Sequence, residues 1–192
     1  MALNPIPEPP FGLLDRVGAG DDAAFEAVYR LYAGPVFTVA ARMLAQREAA
    51  EDVTQEVFID LARALRSYRG DGPFWGWLRR IVVNKVLMRM RAERSRPTLV
   101  AWEPDEHAGR EDWSDSTVLA RDLEQALAAL PPLTRAVVWL YDVEGWTHPE
   151  IAAAVGRSES FSKSQLSRAH QRLRGLLEDR DERTTRRIAG LA

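Results

Sequence analysis

The strongest constraint on the fold is a segment near the C-terminus, EGWTHPEIAAAVGRSESFSKSQLSRAHQRLRGLL. Thr147 and Glu150 have the spacing of a capping box, in which each side chain bonds the other residue's backbone N–H, so a helix is predicted to begin there. Gly156 stands where a helix commonly ends on a left-handed residue, and Ser158 or Ser160 can cap a second helix. Two helices joined by a short turn that contains glycine form a helix-turn-helix.

The second helix of this motif divides into two faces at about 100° per residue. The face predicted to pack carries Ser162, Leu166, Ala169, Leu173 and Leu177. The opposite face carries hydrogen-bond donors of varied length: Lys163, Ser164, Ser167, Arg168, Gln171 and Arg174. The N-terminal part of such a helix enters the DNA major groove. We therefore expect bases to be contacted by Lys163, Ser164, Ser167 and Arg168, and phosphates by Arg172 and Arg174. An ordinary helical hairpin with a solvated basic face remains the alternative.

The remainder of the chain predicts an all-α fold of two small helical domains joined by an acidic linker. Strand patterns are weak throughout the 192 residues, whereas helical periodicity begins near Asp21. Further helices are predicted over 35–45, 48–66 and 74–94. The expected organisation is a mobile Pro-rich tail at 1–14, a domain at 15–96, a linker at 97–117, a domain at 118–178 and a tail at 179–192.

Charge is distributed in blocks that the net charge of −2 conceals. The stretches 74–96 and 157–174 are strongly basic, and the segment WEPDEHAGREDWSD between them is acidic. Two basic modules separated by an acidic segment favour contact with nucleic acid, although solvated helix faces would give similar charge runs.

The predicted helix over 48–66 has one apolar side and one acidic side. Its exposed face is expected to carry Asp52, Gln55, Glu56 and Ile59. An aliphatic residue inside an otherwise polar face is typical of a protein-binding patch, and a solvated face with one stray aliphatic is the simpler alternative.

Aromatic residues surround the loop YRGDGPFWGW, which is followed by a basic helix. Base-stacking rings beside arginines that follow a phosphate backbone are typical of single-stranded nucleic-acid binding. Phe74 and Trp77 share a helical face with Leu78 and Ile81, so we expect these two rings to belong mainly to the core.

Catalytic and metal sites have little support in the sequence. The chain has no cysteine, which excludes disulfides and thiolate ligands. Its histidines at 107, 148 and 170 have no metal-ligand spacing, and His148 is expected to be solvated. No apolar run is long enough to cross a bilayer, and the N-terminus does not resemble a signal peptide, so direct membrane insertion is not expected. We therefore expect no enzymatic activity and no cofactor.

Four motifs in order resemble the extracytoplasmic-function (ECF) sigma factors, a two-domain subfamily of bacterial sigma-70-type initiation factors. They are EDVTQEVF, SYRGDGPFWGWLRRIVVNKVLMRMR, the acidic linker, and LPPLTRAVVWLYDVEGWTHPEIAAAVG with its helix-turn-helix. The resemblance covers about residues 15 to 177 and makes 15–96 sigma region 2 and 118–178 sigma region 4. One departure is Ser160-Phe161-Ser162, where the family commonly has a Gly-Thr-Val-like sequence.

The resemblance implies a division of labour along the chain. The face of Asp52, Gln55 and Glu56 would dock on core RNA polymerase. The minus-ten element, with a base flipped from its stack, would be captured by Tyr68, Arg69, Arg79, Arg80 and Asn84. The helix-turn-helix would read the minus-thirty-five element. An anti-sigma factor is a further expected partner, able to hold this bacterial cytoplasmic protein at the inner membrane, and an envelope or environmental stress is the expected signal. The rival interpretation is a stand-alone helix-turn-helix regulator with an N-terminal sensing or interaction domain.

Overall fold

The computed structural model describes residues 6–95 and 118–189 of the chain, and no strand occurs within them. The chain divides into two compact units, residues 1–96 and 97–192. The acidic segment predicted as a linker at 97–117 lies outside the described residues. None of the described helices is long and apolar enough to cross a membrane.

The first unit is a bundle built on three long helices. Its elements are α1 (Leu13–Gly18), α2 (Asp22–Leu44), α3 (Arg47–Ala64), a 3-10 turn (Leu65–Ser67) and α4 (Phe74–Ser95). Helix α2 begins where the Asp21 side chain accepts a hydrogen bond from the Ala24 N–H at 3.0 Å, close to the residue where helical periodicity was predicted to begin. The core consists of apolar side chains from α2, α3 and α4: Val28, Tyr32, Val36, Met43, Val53, Val57, Leu61, Phe74, Leu78 and Val82.

Helix α2 is continuous through Pro35, so the prediction of a separate helix beginning at Pro35 is wrong. Proline removes one backbone hydrogen bond and crowds the preceding turn, which normally ends a helix. Tyr32 and Val36, on either side of Pro35, are both completely buried. Their packing into the core offsets the local cost of the proline.

The described segment before α1 is attached to the bundle, so the expectation of a mobile tail is wrong for residues 7–13. The Tyr32 hydroxyl donates to the Pro7 carbonyl at 2.7 Å, and the Phe74 N–H donates to the Glu8 carboxylate at 3.0 Å. Leu13 is buried within α1. Polar and apolar contacts therefore fix residues 7–13 against the first unit.

The second unit contains the helix-turn-helix. Its elements are α5 (Val118–Ala128), α6 (Pro132–Val138), a π-helical turn (Trp139–Val143), α7 (His148–Val155) and α8 (Glu159–Ala189). Its core consists of small and branched side chains: Ala126, Leu130, Ala136, Val137, Leu140, Ile151, Leu166 and Ala169. Helix α8 continues to Ala189, so most of the expected C-terminal tail at 179–192 has helical backbone instead.

Arg135 is a charged residue within this core, with 4% of its surface exposed. It donates from Nη1 to the Ala128 carbonyl at 3.1 Å, which satisfies a backbone acceptor at the C-terminus of α5. Burial lowers the pKa of the Arg135 guanidinium to about 10. Arg135 therefore links α5 to α6, a role that the sequence analysis did not assign.

Candidate nucleic-acid interface

The turn between α7 and α8 has the local geometry that the sequence predicts. Thr147 and Glu150 form the capping box reciprocally, with the Thr147 N–H donating to the Glu150 carboxylate at 2.9 Å. Gly156 has φ 66°, a left-handed conformation that glycine adopts without strain. Ser158, one of the two predicted caps, accepts from the Phe161 N–H at 3.2 Å. Helix α7 buries Ile151, as its apolar face predicts.

The outward face of α8 carries the residues predicted to contact DNA. Exposed side chains on this face are Lys163, Ser167, Arg168 and Arg174, and Arg172 at its edge is exposed as well. Ser164 is half-buried and donates from Oγ to the Phe161 carbonyl at 2.9 Å. Arg168 folds back over Ser164, donating from Nη2 to Ser164 Oγ at 3.1 Å and from Nε to the Ser164 carbonyl at 3.2 Å. The structure therefore joins Ser164 and Arg168 directly and leaves Ser167 open to solvent.

The inward face of α8 is packed, and it includes a buried hydroxyl. Ser162, Leu166, Ala169 and Leu173 are all buried, as predicted, and Leu177 is half-buried. Ser162 has no exposed surface, and its Oγ lies 3.0 Å from His148 Nδ1. His148 also stacks on Tyr141, with ring centroids 4.5 Å apart. His148 is therefore half-buried and held by two neighbours, rather than fully solvated as expected.

The acidic face of α3 is bridged to basic residues of α4. The Asp52 carboxylate lies 3.1 Å from an Arg89 guanidinium nitrogen, and Glu56 lies 3.5 Å from Lys85 Nζ. Lys85 also donates to Asp60 at 2.8 Å, which lowers the pKa of the Asp60 carboxyl. These pairs could not be read from the periodicity of α3 alone, because they join side chains of two different helices.

The centre of the α3 face is more open than its flank. Gln55 is exposed, and Ile59 keeps 78% of its surface exposed. Val53, Val57, Phe58 and Leu61 are buried on the other side, as the periodicity predicts. A large exposed aliphatic side chain surrounded by polar neighbours is suited to contact a protein partner.

The loop between α3 and α4 is held by a cluster of aromatic rings. Tyr68 donates from its hydroxyl to the Gly72 carbonyl at 2.9 Å and packs on Phe74 and Trp77, with ring centroids 5.4 and 5.2 Å away. Phe74 is fully buried and Trp77 half-buried, in keeping with their expected core role. Burial raises the pKa of the Tyr68 hydroxyl, and the nearby carboxylate of Glu8 adds to the shift. This tyrosine therefore stays a neutral, half-buried ring.

Helix α4 does not present all of its predicted contacts on one face. Arg80 and Asn84, one turn apart, are both exposed, and Arg69 in the preceding loop is exposed as well. Arg79 is half-buried, and its Nε has essentially no accessible surface. Arg79 and Arg80 therefore do not point in the same direction, since adjacent residues on a helix lie about 100° apart, and the contact of Arg79 with DNA stays a prediction.

The described residues contain no group of three or more histidine and acidic side chains that could hold a metal ion. Their chemistry consists instead of exposed guanidinium, ammonium, hydroxyl and amide donors on two helices. Such donors are suited to phosphate oxygens and base edges.

Two family models match the chain in sequence order. The model of sigma-70 region 2 matches residues 28–96, and the model of sigma-70 region 4 matches residues 120–173.

Similar curated proteins are ECF sigma factors. The ECF RNA polymerase sigma factor SigE of Mycolicibacterium smegmatis is 36% identical over 167 residues, covering 82% of this chain and 64% of that protein. SigM of Mycobacterium tuberculosis is 31% identical over 159 residues, covering 83% of this chain and 80% of SigM. The sigma-E factor of Escherichia coli is 29% identical over 171 residues, covering 83% of this chain and 89% of that protein. The chain thus spans somewhat less than two thirds of SigE and most of the other two.

A solved structure shares the fold. The sigma factor RpoE of Bartonella quintana, crystallised with the anti-sigma factor NepR, aligns with a TM-score of 0.54 at 22% identity. The alignment covers 80% of this chain and 96% of that chain.

Proposed function

This chain belongs to the ECF subfamily of sigma-70-type sigma factors, and we propose how its two units divide the work of promoter-specific transcription initiation. The observation that carries the function is the pair of matches on one chain, sigma region 2 at 28–96 followed by region 4 at 120–173. A sigma factor binds core RNA polymerase and directs it to promoter DNA, and its family consists of initiation factors rather than enzymes.

Core polymerase is proposed to bind the exposed face of α3. Ile59 would form the centre of this interface because it is the most exposed aliphatic side chain on α3. Asp52, Gln55 and Glu56 would form its polar rim. The pairs to Arg89 and Lys85 hold Asp52 and Glu56 in defined positions before any partner arrives, which lowers the entropy lost on binding.

The minus-ten element is proposed to bind the aromatic loop and the outer face of α4. Tyr68, held by Gly72 and the rings of Phe74 and Trp77, offers a half-exposed ring edge beside Arg69. Arg80 and Asn84 would continue this surface along α4 toward the non-template strand. Arg79, a half-buried side chain with a buried Nε, would contribute at the edge of this surface.

The minus-thirty-five element is proposed to bind the outward face of α8. Lys163, Ser164, Ser167 and Arg168 would lie near base edges, and Arg172 and Arg174 near phosphates. Arg168 is aligned along the helix by its two hydrogen bonds to Ser164. The guanidinium therefore begins from a restricted set of conformations and loses less entropy on binding a base.

Reconstituted transcription tests the function. The purified chain would be mixed with core polymerase from its source organism and fragmented genomic DNA of that organism, and transcript starts would be mapped. We expect discrete starts only when chain and core polymerase are both present. Tight binding of the chain alone to the same duplexes, without initiation when core polymerase is added, would support the stand-alone regulator instead.

An anti-sigma factor is proposed as a further partner, released in response to an envelope or environmental stress. The support is that the solved sigma factor with this fold was crystallised with an anti-sigma factor. In this proposal the chain acts in the bacterial cytoplasm, and a membrane-linked partner would retain it at the inner membrane. Such a partner should abolish the reconstituted transcription when added in equimolar amount, and unchanged transcription would rule that candidate out.

A further inference from the structure

The helix-turn-helix contains one fully buried side-chain hydroxyl, that of Ser162. It lies on the packed face of α8 in line with Leu166 and Ala169, both buried. A hydroxyl removed from water is costly unless it is hydrogen-bonded. Its partner is His148, whose Nδ1 lies 3.0 Å from Ser162 Oγ.

The imidazole of His148 is itself held in place. His148 is the first residue of α7 and follows the Thr147 cap, so its backbone is fixed by the capping box. Its ring stacks on Tyr141 in the π-helical turn, with an interplanar angle of 20°. One ring therefore connects the π-helical turn, α7 and α8.

We propose that His148 is a positioning residue for DNA recognition, acting through Ser162 on the first turns of α8. Apolar packing is non-directional, whereas a hydrogen bond constrains both distance and angle, so this bond fixes the rotation of α8 about its axis. Lys163 and Ser164 follow Ser162 directly in the chain, and their reach into the groove depends on that rotation. The inference rests on the proposed role of α8 at the minus-thirty-five element.

Three variants distinguish an effect of His148 on the position of α8 from an effect on the stability of the second unit. His148→Phe keeps a ring to stack on Tyr141 but leaves the Ser162 hydroxyl unsatisfied. His148→Asn places a polar atom near the position of Nδ1. The double variant His148→Phe/Ser162→Ala removes both partners, and His170→Phe is the matched control because the bond from His170 to Asp142 lies at an exposed site.

Unfolding of the full chain in urea measures the energetic coupling. His148→Phe should lower the folding equilibrium constant of the second unit about fivefold or more, since an unsatisfied buried hydroxyl is costly. The double variant should regain most of that loss because no polar group is left without a partner. His148→Asn should lose less than His148→Phe, and His170→Phe should change little, as is typical of exposed pairs.

Promoter discrimination by the holoenzyme supplies the decisive measurement. A promoter from the mapped starts would be randomised at its upstream element, and the preference for the best sequence over single mismatches would be measured. We expect His148→Phe to reduce that preference about tenfold, within the range of one base contact. The double variant should stay defective despite its recovered stability, whereas His148→Asn and His170→Phe should discriminate nearly as well as the unmodified chain.

Two outcomes would overturn the inference. One is normal discrimination by His148→Phe. The other is a promoter preference that recovers in the double variant together with its stability. In that case the bond would only stabilise the fold and would not position α8. If the unmodified holoenzyme never initiates, the proposed function fails and the inference with it, while the unfolding data still report the coupling between His148 and Ser162.

Discussion

Removing the exposed side chain of Ile59 should weaken core polymerase binding while leaving the fold intact. Ile59 is 78% exposed in the chain, so most of its apolar surface is available to a partner. Fully burying an isoleucine side chain is worth about 1.5–3 kcal/mol. Ile59→Ala should therefore lose about 1–2 kcal/mol of binding, which raises Kd roughly 5- to 30-fold at about 1.4 kcal/mol per tenfold.

Stability should change much less, by under about 0.5 kcal/mol, because the side chain contributes little to the core. Kd would be measured by biolayer interferometry with immobilised core polymerase, and stability by thermal unfolding. Phe11→Ala is the matched control, since Phe11 is fully exposed and lies outside α3. A Kd for Ile59→Ala within twofold of the unmodified chain would refute the assignment of this face.

Ile59 is a cleaner probe than its acidic neighbours. Replacing Asp52 and Glu56 together with lysine should also abolish core binding, but it would in addition place lysines opposite Arg89 and Lys85. Repulsion between α3 and α4 could then alter the bundle, so a binding defect would have two causes.

Three further changes test other parts of the structure. Arg168→Ala should weaken minus-thirty-five recognition by about 1–3 kcal/mol, measured as promoter preference in reconstituted transcription, and unchanged preference would exclude a base contact. Thr147→Ala removes the cap of α7 and should lower the free energy of unfolding by about 1 kcal/mol in urea titrations; an unaltered midpoint would argue against the capping box as a stabilising contact. The Lys85 hydrogen bond lowers the pKa of Asp60 below its ordinary value of 3.8, so the stabilisation is present above that value and is lost as pH falls through the lowered pKa. Asp60→Asn should flatten this acid-side loss of stability, and an unchanged pH profile below about 4 would contradict the coupling.

Local features of the sequence predicted much of the fold. The capping box at Thr147, the left-handed Gly156 and the buried face of α3 all follow from neighbours within a few residues along the chain. Such short-range patterns depend on helix geometry alone, which is why they can be read without knowledge of packing.

Features that depend on distant contacts were not predicted. Pro35 is tolerated within α2 because Tyr32 and Val36 pack into the core, which no local rule conveys. The pair of His148 and Ser162 spans 14 positions, and the bond from Phe74 to Glu8 spans 66. Periodicity sorts residues onto faces but does not tell which buried polar atoms meet.

The contact surfaces were predicted in their residue types but only partly in their arrangement. The outward face of α8 was assigned from angles alone and is exposed as expected, except at Ser164, which is half-buried. Arg79 was grouped with Arg80 because the family resemblance implies both, although neighbouring helix positions point in different directions. The position of Arg135 as a lone cation within the apolar run PPLTRAVVWL is the sequence signal that indicates its burial.

The contacts of Pro7 and Glu8 show that the folded first unit extends beyond the segment that matches the family model. The sigma region 2 match begins at residue 28, yet the Tyr32 hydroxyl donates to Pro7 and the first N–H of α4 donates to Glu8. A fragment cut at the family boundary would leave a completely buried tyrosine without its acceptor and the start of α4 without its cap. Domain borders drawn from recurring sequence are therefore poor guides for cutting this chain, and an excised first domain should begin ahead of Pro7.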